Sequence, residues 1–148
     1  MNNLIKCTAA AVTLAVALPA AVAAQEQPLR PAEYVDVSAI HIDDGHQLEY
    51  ANHLASMWRS SMDFQVEQGW IDSYEILANT YARDGEPDLY LLVRYSEWPS
   101  TEDGQARGEA MRAHMQMTRE QMQEASAGRA EYRRVGSEML LRRLVWND

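Results

Sequence analysis

Residues Leu89–Trp98 read LYLLVRYSEW, the clearest strand in the chain. The segment before it, residues 82–88 (ARDGEPD), has turn chemistry in Asp84-Gly85 and a proline. The segment after it, Pro99-Ser100-Thr101, closes the strand and supplies a helix cap. Leu89, Leu91 and Val93 share one parity, and Tyr90 and Leu92 share the other. A sheet face left to water is polar on alternate residues. This strand is apolar on both, so both sides of its sheet call for cover.

Working outward, Tyr34–Ile42 (YVDVSAIHI) is β-branched and partly alternating, and is predicted as strand 1. Asp43-Asp44-Gly45 stops it, and Asp44 with Gln47 has capping-box spacing. Helix 1 is expected over about residues 45–68, with Leu48, Ala51, Ala55, Trp58, Met62 and Val66 as its buried stripe. His46 and His53 then fall on the opposite, solvated face. Gly69 ends the helix, and Trp70–Tyr81 is strand 2. Helix 2 is expected over 102–126, with Ala106, Ala110, Ala113, His114 and Met117 on one stripe and Met111, Met115 and Met122 beside it. Gly128 and Gly136 bracket an arginine-rich connector. Glu138–Trp146 (EMLLRRLVW) is strand 4 and is also apolar on both parities.

The order β-α-β, β-α-β predicts an α+β domain: a four-stranded antiparallel sheet with both helices on one face. Two helices cover only that face. At roughly 25 cal/mol per Å² of apolar surface, covering the other is worth many kcal/mol. A homodimer through the open sheet face is therefore expected.

Composition narrows the function. The chain has 148 residues and a formal net charge of -9, with a pI near 4.8. One domain fits this length. So acidic a chain is not expected to bind nucleic acid, which needs a basic surface. One cysteine excludes an internal disulfide framework and a zinc site of several thiolates. Residues 1–24 (MNNLIKCTAAAVTLAVALPAAVAA) place Lys6 before a short apolar run and small residues, the pattern of a secretory signal peptide. Cleavage after Ala24 removes the only lysine and the only cysteine. The expected organisation is a signal peptide (1–24), a flexible leader (25–33) and the folded domain (34–148). The expected location is periplasmic or secreted, with no membrane attachment after cleavage. No second apolar run is long enough to span a bilayer.

Ala39–Gly45 (AIHIDDG) leading into a helix, and Leu91–Trp98 (LLVRYSEW) followed by another, carry a resemblance over about residues 34–146. The pattern resembles the dimeric α/β-barrel superfamily of ferredoxin-like folds. The resemblance implies two sheets closing into a barrel, with a ligand cleft between sheet and helices. Members include cofactor-independent monooxygenases, haem-degrading enzymes, isomerases, cyclases, lyases and proteins without known activity, so fold does not fix function. Haem-degrading members use an Asn on strand 1, a Trp on strand 3 and a His on helix 2. Trp98 and His114 stand in similar regions, but strand 1 has no Asn and the Trp-to-His spacing is long. Haem is not carried over, and no cofactor is expected.

Among residues that can carry chemistry, His41 has apolar same-parity neighbours and is a general-base candidate. A rim histidine is the plainer reading. His114, between the alanine and methionine stripes, is a second base candidate or a satisfied core histidine. Arg94 interrupts an apolar strand and is either an anion anchor or half of an ion pair. Tyr81, Tyr95, Trp98 and Asn79 are candidate substrate contacts. Met111, Met115 and Met117 around His114 offer soft ligands suited to Cu(I), although methionines more often serve as deformable core filling. There is no glycine-rich phosphate loop, GxSxG elbow, CxxC or HExxH, so hydrolase, kinase and nucleotide-cofactor readings have no support. Three functions follow as expectations. The first is a cofactor-independent enzyme for proton transfer (isomerase, cyclase or lyase) or oxygenation of a small apolar or aromatic molecule. The second is a non-catalytic ligand-binding or structural dimer, and the third a periplasmic copper-binding protein.

Overall fold

The structure, a computed structural model, describes residues 27–147. The expected signal peptide and Cys7 lie outside the described residues. The elements are β1 (Leu29–Ile42), α1 (Gln47–His53), a π-helical turn (Leu54–Trp58), α2 (Arg59–Glu67), β2 (Ser73–Ala78), β3 (Leu89–Tyr95), α3 (Thr101–Met115), α4 (Arg119–Arg129) and β4 (Arg133–Trp146). The strands form one open antiparallel sheet in the order β2-β3-β1-β4. The α+β class and the antiparallel sheet are as the sequence predicts. No helix among the described residues is long and apolar enough to cross a membrane.

The first and last strands, β1 and β4, are longer than expected. β1 starts at Leu29, opposite Trp146, so part of the expected leader is strand. Pairing with β3 begins only at Tyr34. Pro31 thus sits where β1 still has a free edge, the setting in which a strand tolerates proline. β4 starts at Arg133 and takes in Gly136, which the sequence places in a connector. Ala39 pairs with Ser137 and Ile40 with Val135, leaving Gly136 as the extra residue of a bulge. A Cβ at Gly136 would overlap the imidazole of His41, so the close approach of that ring requires glycine.

Residues 47–67 make one rod, but its buried stripe is not the expected one. At the π turn the Arg59 N–H donates to the Leu54 carbonyl, five residues back. A widened turn holds an extra residue and shifts the phase of everything beyond it. Tyr50 and Leu54 are buried, whereas Leu48 is 74% exposed and Ala51, Ala55 and Val66 are exposed. His53, expected in solvent, is half-buried against the Tyr50 ring. The Asp44 cap also differs: His46 is the N-cap residue and makes no side-chain cap. Gln47 instead accepts from the Gly45 N–H.

The expected second helix is two helices. Gln116 adopts a left-handed conformation (φ 54°) that ends α3, and Thr118 with Gln121 opens α4 by a capping box. Ser100 with Asp103 caps α3 likewise. Neither α3 nor α4 has a buried residue. Met111, Met115, Met117 and Met122 are half-buried, and Ala106, Ala113 and His114 are exposed.

The core is therefore one cluster on the helix side of the sheet: Ile40 and Leu91 under Tyr50, Leu54 and Tyr132, flanked by Ile42, Trp58 and Leu89. On the other side Val35, Val37 and Ala39 of the central strand are buried. Their cross-strand neighbours there include Leu92 and Tyr90 of β3 and Leu141 and Met139 of β4. The flanks of that side stay open at Leu77, Met139 and Leu141. β4 is apolar and exposed on both sides, since Leu140 and Leu141 point opposite ways and each is 48% exposed.

The revised stripe is directly testable. Leu54→Ala is expected to cost about 2–5 kcal/mol, and Leu48→Ala no more than about 0.5 kcal/mol, in denaturant unfolding. The opposite ranking would restore the regular-helix stripe.

Candidate functional site

With Tyr50 and Leu54 in the core, the neighbouring flank of the rod carries alanine where a larger side chain would fill the layer. Ala51, Leu54, Ala55 and Trp58 of the rod face Tyr74 and Ile76 of β2 and Leu89 of β3 across a cleft of about 460 Å³. The register places the strand residues on one face: Tyr74 lies opposite Val93, and Ile76 opposite Leu91. Ile76 is left exposed at the cleft. Trp58 stands edge-on to Tyr74, with ring centroids 5.2 Å apart and planes at 88°, the favoured arrangement for two aromatic quadrupoles.

The cleft has a polar rim. The Tyr74 hydroxyl donates to Asp63 Oδ1 at 2.5 Å, and Arg59 Nε lies 3.6 Å from Asp63 Oδ2. The bond to Asp63 holds the neutral phenol, so the Tyr74 hydroxyl titrates above its ordinary value. An apolar cavity with a few converging polar groups is the usual make-up of a small-molecule site. Here Arg59 and Tyr74 can orient a polar end, while Trp58, Ile76 and Leu89 hold the body.

The residues singled out from the sequence are mostly scattered. His41 is on the opposite side of the sheet, over Gly136 and across from Arg134. Arg94 is on that side too, paired with Glu75 of β2. It is opposite Val35 in the register, six residues from His41 along β1, or roughly 20 Å at strand rise. His114 is exposed on α3, stacked on Phe64 of α2 at 4.1 Å, with Nε2 3.5 Å from Ser60 Oγ. Tyr81 is 89% exposed between β2 and β3. Asn79 braces that connection, its N–H donating to the Asp88 carbonyl and its amide to the Pro87 carbonyl.

Only Tyr95 and Trp98 are brought together, edge to face at 5.1 Å, with Tyr34 beside Trp98 and Arg142 over the Tyr34 ring at 3.8 Å. Asp36 lies on the helix side, away from Arg94. Burial, and then Glu138, push its carboxyl up, and burial followed by Asp36 pushes the Tyr95 hydroxyl up. Among the described residues no three His, Cys, Asp or Glu side chains are grouped to hold a metal ion.

Sequence reasoning missed Ala51, Ala55, Arg59, Asp63, Tyr74 and Ile76 as site residues. Ala51 and Ala55, read as helix core, are cleft wall instead. The legible signal was the pair of alanines itself: two small side chains one turn apart on an apolar stripe leave room.

His53 also departs from expectation. Burial first, and then the positive charges of Arg129 and Arg133, lower its pKa to about 4. A base with a depressed folded pKa is protonated first in the unfolded chain. Its contribution to stability is therefore undiminished above about pH 6.5 and is lost as the pH falls towards 4. An NMR titration should place the His53 midpoint near 4, and His53→Gln should flatten the loss of stability across that window. A midpoint near 6.5 would mean that the ring is solvated. No protein-family model matches the chain, and no curated protein matches it.

Proposed function

We propose that this chain is an exported protein of the ferredoxin-like, dimeric α/β-barrel type that binds a small apolar or aromatic molecule in the cleft between its first helical rod and the β2–β3 edge. The observation that carries the binding reading is the cleft itself: apolar walls, an exposed isoleucine floor and a polar rim at one end. The strand order β2-β3-β1-β4, with helical connections after β1 and β3, supports the ferredoxin-like connectivity. The exposed Leu77, Met139 and Leu141 beside the buried centre of the sheet support a second copy as its cover. Export rests on the segment 1–24 read from the sequence.

Binding is preferred to catalysis because His41, Arg94 and His114 do not converge on the cleft. The groups that do line its rim, Arg59 and Tyr74, suit recognition: one is a fixed cation, the other a phenol held neutral. A copper-binding role gains nothing from helices whose methionines are half-buried while His114 is stacked on Phe64.

The neutral fluorophore N-phenyl-1-naphthylamine is a suitable probe. It is expected to bind saturably, one per chain, with a blue-shifted emission. Ala55→Trp fills the cleft from an exposed position and should weaken binding by about tenfold or more, while His41→Ala and His114→Ala leave it unchanged. Unaltered binding in Ala55→Trp would sink the assignment. The dimer is tested separately by sedimentation equilibrium: Leu141→Glu should shift the protein to monomer, and a monomeric wild-type chain at micromolar concentration would refute the pairing.

A further inference from the structure

On the far side of the helical rod from the cleft, α4 ends and β4 begins with two arginines set among aromatic rings. Arg129 closes α4 and Arg133 opens β4. Between them Tyr132 is buried, and its carbonyl accepts from the Asp43 N–H at 2.9 Å, which fixes the connection to the end of β1. Tyr50, 2% exposed, lies beneath, with the Arg133 guanidinium 5.7 Å from its ring centroid. His53 is 5.7 Å from Tyr50, and His46 stacks on Tyr132 at 5.2 Å.

The polar balance of this cluster is one-sided. The Nε atoms of Arg129 and Arg133 are both buried and both lack a hydrogen-bond partner. Among the described residues, neither arginine forms an ion pair. The side chains are half-buried, and the ordinary rule is that a buried donor is bonded and a partly buried charge has a partner or solvent. The chain has 22 acidic residues against 13 basic ones, so the lack of a carboxylate here is local and not a shortage. Burial and the neighbouring Arg133 also hold Arg129 below its ordinary value. Nearby His53 is held neutral, so it adds no third charge.

We propose that Arg129 and Arg133 form a site for a small oxyanion, a carboxylate or phosphate taken from solvent, on the outer side of the Tyr50–Tyr132 cluster. Guanidinium groups suit planar or tetrahedral oxyanions because their N–H donors can meet two oxygens at once. An anion held by the terminal guanidinium N–H groups relieves the repulsion between the arginines and ties the start of β4 to the helical rod. The inference stands apart from the cleft reading, which uses neither arginine.

The test is isothermal titration of the protein with inorganic phosphate and, separately, acetate, at constant ionic strength with chloride as the background. Saturable binding of either, one per chain, is expected. The double substitution Arg129→Gln with Arg133→Gln should weaken it by about tenfold or more, with folding checked by circular dichroism. A second readout needs no variant: a bound anion favours imidazolium, so the His53 midpoint should move upward from about 4 when phosphate is added. Absence of saturable binding together with an unmoved His53 overturns the proposal. So does binding that survives the double substitution, or binding that appears only after a dimer is diluted to monomers, which would assign the site to a carboxylate of a second copy.

Discussion

Tyr50 and Leu54 pressing on Ile40 and Leu91 hold this protein together. Nine hydrophobic residues are buried among the described residues, and these four with Tyr132 form a core cluster on the helix side. Each of the other elements is placed by reference to it. The rod lies where Tyr50 and Leu54 meet the sheet; β4 enters at Tyr132; and α3 reaches the layer by way of α2, through the stacking of His114 on Phe64. Because α3 and α4 bury nothing of their own, the contact between helices and sheet is concentrated in this cluster, while Val35, Val37 and Ala39 bury the centre of the other face. Losing contacts there removes a large share of a marginal stability.

That concentration explains which features could be read from the sequence and which could not. Strand identity was legible, because Leu89–Tyr95 and Val35–Ile42 carry β-branched and aromatic runs bounded by turn residues. Strand length was less so: Leu29–Glu33 is strand only because β4 extends to Trp146 beside it, a long-range pairing with no local signal. The rod's stripe was misread first within α1, where Tyr50 and not Leu48 faces the core, and again beyond the π turn, where Val66 is exposed. The π turn at Leu54–Trp58 rotates the wheel midway. The break between α3 and α4 had a sign in Thr118-x-x-Gln121, a second capping box inside what looked like one continuous helix.

The site was harder to see for a related reason. Histidines and an interrupting arginine attract attention along a sequence, yet His41, Arg94 and His114 sit on different surfaces and each has a local explanation: a bulge glycine beneath it, a cross-strand glutamate, an aromatic ring. The cleft arises instead from what is missing, the side chains of Ala51 and Ala55, and absence at two positions becomes a cavity only when a sheet lies opposite. The arginines 129 and 133 were visible as part of a basic connector. Only the three-dimensional placement shows that they are deprived of acids in a chain otherwise rich in them.

The widened turn at Leu54–Trp58 couples two halves of one rod much as a gear with one added tooth couples two shafts. The half before it seats Tyr50 in the core; the half after it aims Arg59 and Asp63 at Tyr74. Removing a single residue from the turn would let a regular helix form and swing the second half by about 100° relative to the first. The core would keep its grip while the polar rim rotated away from the cleft. Insertion or loss of one amino acid at this point is thus a way for such a chain to reshape its cleft without changing how it folds.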